Sequence, residues 1–228
     1  MIGDPRVCSG PVGDLPFASD PAVVERLGHA MDAEGKLPRA LASLGLRSDS
    51  VTAVIDVPGT DWVVRVRGGS RDLLVPAVAP LRLPVDDSSL DAVVTLWTGL
   101  RGVDPEELGE VDRALRPGGR LLVVHDYGRD DVSMLRDPGA PEYATWSRRE
   151  GPFLRDGGFK IRVVHCFWTF PTLEAARVAI ASLGARGAAF AEGLRRPRLS
   201  WNVAVYHRSR PGDEDATLER RRLLRSGA

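Results

Sequence analysis

Several side chains that can move a proton follow one apolar run of the sequence. The run RLLVVH, residues 120–125, leads into Asp126 and Tyr127, and six of the seven residues in 125–131 are polar. Because a histidine or a carboxylate beside a substrate can act as a general base, His125, Asp126 and Tyr127 are candidate catalytic residues. The alternative is a solvated loop in which Asp126 caps a turn.

A second candidate site lies in TAVIDVPGTDW, residues 52–62. An apolar run ends on Asp56 and then meets Pro58, Gly59 and Thr60. This order is typical of a buried parallel strand that leads into a ligand-binding loop, so we predict that Asp56, Gly59 and Thr60 contact a cofactor. The loop has a single glycine, however, and Pro58 has no backbone N–H to donate.

Strand and helix patterns alternate along the chain, which favours a sheet that positions these residues. The apolar run DAVVTLW, residues 91–97, lacks alternation, as expected when both faces of a strand are covered. Asp104 followed by Pro105 predicts a helix N-terminus. Arg113 and Arg116 favour the negative end of that helix, and residues 117–119, Pro-Gly-Gly, are expected to stop it. We predict strands over residues 51–57, 73–78, 91–97, 120–125, 159–167 and 201–207, and helices within 20–45, from 105 onward, over 172–183 and up to 195.

The predicted fold is α/β: a Rossmann-like, doubly wound, mostly parallel sheet with helices on both faces. Ligands bind such sheets outside the carboxyl ends of the strands, which adds Trp97 to the predicted cofactor contacts. The proline-rich second strand is expected at an edge of the sheet. The predicted domain covers residues 20–207, preceded by an irregular lead-in over 1–19 and followed by a charged, disordered tail over 208–228.

Composition narrows the class of protein. The 31 basic and 31 acidic residues balance, so no net field favours binding to nucleic acid or to a membrane surface. No apolar run approaches the roughly 20 residues that span a bilayer, and two distant cysteines are typical of a reducing compartment. We therefore expect a cytoplasmic protein. The four histidines lack the spacing of metal ligands, and no metal site is predicted.

One block of the sequence resembles a known family. LPVDDSSLDAVVTLW, residues 83–97, and DPEELGEVDRALRPGGRLLVVHDYG, residues 104–128, are similar to the fourth strand, the following helix and the fifth strand of class I S-adenosylmethionine-dependent methyltransferases of the small-molecule type. The close match covers about 45 residues. The resemblance implies S-adenosylmethionine as cofactor and a closing pair of strands in which the last runs antiparallel.

The cofactor half departs from the family pattern. Aligned with the family's first strand, Asp56 is the acid that precedes the glycine loop, but Pro58 and Asp61 stand where the loop needs donors and space. Ala79 replaces the acid that contacts adenine. Only 35 residues separate Asp56 from Asp91, so the first half of the fold is shortened. In a second alignment, residues 51–56 form the second strand, with Asp56 as the acid that holds the ribose.

Two functions follow from this pattern. The first is a divergent methyltransferase that uses S-adenosylmethionine to methylate a small molecule, mainly by holding donor and acceptor close together. The second is a pseudoenzyme, in which the same fold serves as a binding or regulatory module. The aromatic residues Trp146, Phe167, Trp168 and Phe170 either cap the pocket or pack in the core, and core packing is the favoured interpretation.

Overall fold

The computed structural model describes residues 27–56, 72–76, 80–97, 104–135 and 148–212. Residues 27–30 are helical and precede the first complete helix. The chain then forms α1 (Lys36–Ser43), β1 (Thr52–Asp56), β2 (Asp72–Pro76), β3 (Leu90–Leu96), α2 (Pro105–Ala114), β4 (Leu115–Asp126), a 3-10 turn (Val132–Leu135), a π turn (Pro152–Asp156), β5 (Lys160–Thr169), α3 (Leu173–Ala181), α4 (Ala185–Gly193) and β6 (Arg198–Ser209).

The six strands form one sheet in the order β2-β1-β3-β4-β6-β5. Strands β2, β1, β3 and β4 run parallel, and β6 runs antiparallel to both of its neighbours. This confirms the predicted mostly parallel sheet and its antiparallel last strand. The second strand lies at an edge, as its prolines indicated.

Helices and turns cover both faces of the sheet. Because side chains alternate along a strand, Val54 points into one core while Ala53 and Ile55 point into the other. On the first face, the core contains buried residues of α1, α3 and α4, and on the second face it contains Val111 and Ala114 of α2. The prediction of helices on both faces is confirmed.

The position of β1 distinguishes the two alignments of the first half. Residues Thr52–Ile55 pair with β3 on one side, and Thr52–Asp56 pair with β2 on the other. By its sequence resemblance, β3 corresponds to the fourth strand of the family. In a doubly wound sheet the first strand lies beside the fourth, so β1, which lies beside β3, has the place of the first strand. The alternative, in which residues 51–56 are the second strand, does not fit this order.

Helix α2 begins as predicted but ends earlier. The Asp104 carboxylate accepts hydrogen bonds from the backbone N–H groups of Glu106 and Glu107, at 2.9 and 3.4 Å. The helix ends at Ala114, before the Pro-Gly-Gly sequence, because Leu115 is already extended and begins β4. At Gly119 an added Cβ would lie 2.8 Å from the carbonyl oxygen of Arg116, so this close approach of the backbone requires glycine.

Candidate functional site

The strand order reverses between β1 and β3, which makes this point the expected ligand crevice. From β1 the chain goes to β2 on one side, and from β3 it goes to β4 on the other. A doubly wound sheet binds ligands outside the carboxyl ends of the two strands at such a reversal. The last residue of β1 is Asp56, and Trp97 directly follows β3.

The loops after these two strands lie outside the described residues. This applies to Pro58, Gly59, Thr60 and Asp61, and also to Ala79. For Asp56 the structure describes the backbone, which pairs with Pro76 of β2, but not the side chain. The predicted cofactor contacts of Asp56, Gly59 and Thr60 therefore remain predictions.

Trp97 is buried and turned back into the protein. Its backbone has a φ of 48°, which is uncommon for a residue with a side chain, and its N–H donates to the carbonyl of Val124 at 3.0 Å. The indole is 3% exposed and stacks on Trp201, with ring centroids 5.7 Å apart. Its Nε1 donates to Oδ1 of Asp126 at 3.1 Å.

Asp126 lies between two indoles. Besides the bond from Trp97, its Oδ1 accepts a hydrogen bond from Nε1 of Trp201 at 2.8 Å. The residue is 2% exposed. Trp168 packs edge-on against Trp201, with centroids 6.3 Å apart. We call Trp97, Asp126 and Trp201 the indole clamp; its carboxylate holds together the ends of β3, β4 and the start of β6.

His125 points to the opposite face of β4. It is the neighbour of Asp126 on one strand, and adjacent strand residues alternate between faces. The imidazole is 1% exposed, and its centroid lies 6.5 Å from that of Phe153 in the second core. His125 and Asp126 therefore do not converge on one pocket. Tyr127 follows the strand, and its N–H donates to the carbonyl of Asn202 at 2.8 Å.

The acidic loop after β4 is tied to β6. Strand β6 extends beyond the end of β4, whose last pair joins Asp126 and Val203, and its backbone N–H groups need other acceptors there. The carboxylate of Asp131 accepts bonds from Ser200 N and Oγ, both at 2.7 Å. Asp130 accepts from Asn202 N at 2.7 Å. These carboxylates thus replace the missing strand partner. Neither interpretation of the sequence, a substrate pocket or a solvated loop, anticipated this role.

We expect Asp131→Ala to lower the free energy of unfolding by about 1–2 kcal/mol, because both donors of Ser200 would lose their acceptor. Asp131→Asn keeps one carbonyl oxygen and should cost less than half as much. Urea denaturation monitored by far-ultraviolet circular dichroism would measure both variants. Equal stability of Asp131→Ala and the parent protein would contradict this role.

The pKa values of two other groups follow their burial. Burial raises the pKa of Asp130, and its hydrogen bonds to Asn202 and Ser133 oppose that effect. Burial also raises the pKa of the Cys166 thiol. A cysteine of raised pKa has little thiolate and reacts slowly, so Cys166 serves the core as an apolar residue.

The aromatic residues divide between the core and the surface. Trp168 and Phe170 are buried in the first core, as the core-packing interpretation predicts. Phe167 points the other way on β5, with the guanidinium of Arg198 3.5 Å from its ring centroid. Trp146 lies outside the described residues.

Sequence reasoning missed two partners. Trp201 was assigned only to a strand, although its spacing along β6 places it on the same face as Val203 and Val205, where it meets Asp126. Arg113 was assigned only to a helix end, but its guanidinium binds the segment before β3. The alternation of side chains in β6 could have indicated Trp201. The sequence offers no such signal for Arg113, because its partners lie about 30 residues away.

The described part of the chain contains neither a candidate metal site nor a candidate membrane-spanning helix. No group of three or more histidine, cysteine or acidic residues there could hold a metal ion. Among the same residues, no helix has both the length and the apolar character needed to cross a bilayer.

The chain matches no protein-family model and no curated protein. Among solved structures, it is similar to a protein named "putative type II methyltransferase" from Anaeromyxobacter dehalogenans, with 18% identity and a TM-score of 0.47 over 78% of this chain and 98% of the other. For the YcgJ protein of Bacillus subtilis the values are 14%, 0.42, 78% and 99%. These similarities are distant, and the fold assignment rests on the order and direction of the strands.

Proposed function

We propose that this protein is a divergent S-adenosylmethionine-dependent methyltransferase that acts on a small molecule. The observation that carries the proposal is the reversal of strand order between β1 and β3, with an acid as the last residue of β1. The sequence resemblance of β3, α2 and β4 to the class I family supports the same assignment. The distant structural neighbours agree with it but add no independent weight.

In this proposal Asp56, Gly59 and Thr60 hold the cofactor at the carboxyl end of β1. The bound cofactor would supply a methyl group on a positively charged sulfur. Trp97 offers no indole N–H to it, because that donor already binds Asp126. This hydrogen bond disfavours a cofactor held through the end of β3, and the proposal places the cofactor at the end of β1.

Catalysis would depend mainly on the positions of donor and acceptor. Holding two reactants in line at short range removes much of the entropic barrier to their reaction. His125 and Asp126 are nearly inaccessible and lie on opposite faces of β4. Their burial favours a reaction that needs no side-chain base from this strand, while Tyr127, which is only partly buried, remains the candidate nearest to solvent.

The second candidate function is a pseudoenzyme. The observation that favours it is the indole clamp, because two polar groups at the ligand edge of the sheet bind each other instead of facing a ligand. Pro58, which lacks a donor in the cofactor loop, favours the same function. Cofactor binding separates the two candidates.

A thermal melt with S-adenosylmethionine or its demethylated product tests cofactor binding. A ligand that binds only the folded state stabilises it by about 2.7 kcal/mol at a hundredfold excess over its Kd. We expect the melting temperature to rise by several degrees with either ligand. A melt unchanged by millimolar concentrations of both would contradict the methyltransferase and support the pseudoenzyme.

Matched variants locate the binding site. Asp56→Ala should lose most of the ligand-induced shift, since the acid at the end of β1 would be gone. Asp86→Ala removes an exposed acid in the turn before β3 and should keep the full shift. If Asp56→Ala responds like Asp86→Ala, the cofactor does not use the end of β1. Melts of both variants without ligand show whether each one folds.

A further inference from the structure

A cluster of basic side chains lies at the edge of the sheet opposite the proposed cofactor site. Arg120 is the first residue of β4 that pairs with β6, Lys160 and Arg162 begin β5, and His207 is near the carboxyl end of β6. Because β6 is antiparallel to β4 and β5, these four positions come together at one end of the strands, away from the carboxyl ends of β1 and β3. We call these four residues the basic cluster.

All four side chains share one face of the sheet. Along each strand they continue the alternation of residues in the first core: Leu122 and Val124 in β4, Val164 in β5, and Val205 in β6. The register pairs His207 with Lys160 on one side and with Leu122 on the other. Arg162 and Arg120 lie opposite Val205 and Ser209. Each is therefore diagonal to His207, on either side of it along the strands, and within reach of long side chains.

The C-terminal end of α1 borders the cluster. Nη1 of Arg162 donates to Oγ of Ser43 at 2.5 Å. A Cβ added to Gly45 would lie 3.5 Å from Cγ of Arg120. The helix end thus lies against Arg120 and Arg162, and it supplies only the partial negative charge of its last carbonyls.

No acidic side chain neutralises the cluster within the described part of the chain. Its four residues make no ion pair with another described residue, whereas the next residue of β6, Arg208, pairs with Asp112 at 2.7 Å on the other face. Arg113 and Arg116 are also paired with acids. Like charges facing each other across strands are destabilising, so the arrangement has a cost that a bound anion would remove.

We propose that the basic cluster binds the phosphate groups of a small, multiply charged anion. One arginine guanidinium can bind two phosphate oxygens at once. A guanidinium has five N–H donors, and Arg162 uses one of them for the hydrogen bond to Ser43. Three adjacent strands, about 4.8 Å apart, carry the cluster, and the two arginines flank His207, so a small ligand beside the imidazole lies within reach of both long side chains. The balanced charge of the whole chain argues against an extended nucleic acid.

His207 reports on the occupancy of the site. Burial lowers the pKa of His207, and the positive charges of Arg120, Lys160 and Arg162 lower it further. A phosphate anion bound among these residues would offset their charge and favour the protonated imidazole. The pKa of His207 should therefore rise when the anion binds.

The test is a titration of pyrophosphate against the full chain, with histidine ring signals followed by NMR at constant ionic strength. We expect the His207 pKa to rise by about one pH unit, while the ring signals of His165, on the opposite face of β5, stay unchanged. Sodium chloride at matched ionic strength should not reproduce the effect. No change of His207 at 10-fold excess over millimolar protein, or an equal change with sodium chloride, would overturn the proposal.

Variants identify the groups that bind. Arg120→Gln and Arg162→Gln should each weaken pyrophosphate binding by about tenfold or more, as loss of a hydrogen bond to a charged group implies. Arg195→Gln, at an exposed position after α4, should bind like the parent protein. Equal affinity of all three variants would overturn the site. Melting curves confirm that each variant is folded.

A comparison of ligands distinguishes the sources of phosphate. If ADP shifts His207 at lower concentration than pyrophosphate, the ligand is a nucleotide whose base adds contacts. If the two are equal, the site recognises the phosphate chain alone. This proposal is independent of S-adenosylmethionine, because the basic cluster lies at the other edge of the sheet; failure of one does not imply failure of the other.

Discussion

Replacing Asp126 with alanine should lower the free energy of unfolding by about 2–6 kcal/mol. The carboxylate accepts hydrogen bonds from two buried indoles, and each buried donor left without an acceptor costs about 1–3 kcal/mol. The midpoint of urea denaturation, at an unchanged slope, would measure the loss. The fluorescence of Trp97 and Trp201 would change in the same transition, because both rings lie in the clamp.

Asp126→Asn is the matched control. Its side-chain carbonyl has two lone pairs and can still accept both indole N–H bonds, so it should lose less than half as much stability as Asp126→Ala. The two variants also separate structure from catalysis, since Asn cannot act as a base. A stable Asp126→Asn with full methyl transfer would support a structural role, whereas a stable but inactive one would support the general base.

Trp201→Phe tests whether the clamp acts as a unit. It keeps a ring near Trp97 and Trp168 but removes one donor to Asp126. If the two residues are coupled, the double variant with Asp126→Ala should cost less than the sum of the single changes by about 0.5–3 kcal/mol. Simple additivity would mean that the bond between them contributes little to stability.

The order of elements could be predicted because their patterns are local. The unbroken apolar run of β3 and the Asp-Pro start of α2 both follow from neighbouring residues. The end of α2 was misplaced because proline and glycine suggested the stop. The chain leaves the helix at Leu115, three residues before Gly118, and the Pro-Gly-Gly sequence becomes the start of β4.

The candidate site could not be predicted in the same way, because its contacts are not local. Residues 125–131 look like a pocket lining when only their polarity is considered. In the structure Asp126 binds Trp201, and Asp131 binds Ser200, about 70 residues away. Which acceptor a carboxylate finds depends on the strand that lies beside it, and sequence patterns gave the existence of β6 but not the side chains facing β4.

The part of the sequence that resembles class I methyltransferases, residues 83–97 and 104–128, is tied together by one arginine. Arg113 of α2 binds the Leu-Pro segment before β3: its guanidinium donates to the carbonyls of Leu83 and Val85, at 3.0 and 2.9 Å. It also binds the carboxylates of Asp87 and Glu110, at 2.7 and 2.9 Å. Glu110 in turn accepts the N–H of Leu83 at 2.8 Å. The similar residues thus position β3, and the similarity is evidence for the fold more than for the cofactor.

Arg113→Ala should therefore be the second strongly destabilising change, at about 2–3 kcal/mol. It removes hydrogen bonds from a charged group to two backbone carbonyls and to the partly buried carboxylate of Glu110, and bonds to a charged group are among the stronger ones. Arg116→Ala is a suitable control, because the Arg116 side chain is 61% exposed and Asp91 is its only acidic partner among the described residues. It should cost less than about 1 kcal/mol. Equal losses of unfolding free energy for the two variants in urea denaturation would show that Arg113 stabilises the fold no more than an exposed arginine does.

The pH dependence gives the same interaction a second signature. The hydrogen bond from Arg113 holds the pKa of Glu110 at about 2, against an ordinary value of 4.5. Because the folded state lowers this pKa, the contribution of Glu110 is complete above pH 4.5 and is lost as the pH falls from there towards 2. In Glu110→Gln, which cannot ionise, the stability deficit relative to the parent protein should shrink over that range. A deficit that stays constant from pH 7 to pH 2.5 would show that the charge of Glu110 does not stabilise the turn before β3.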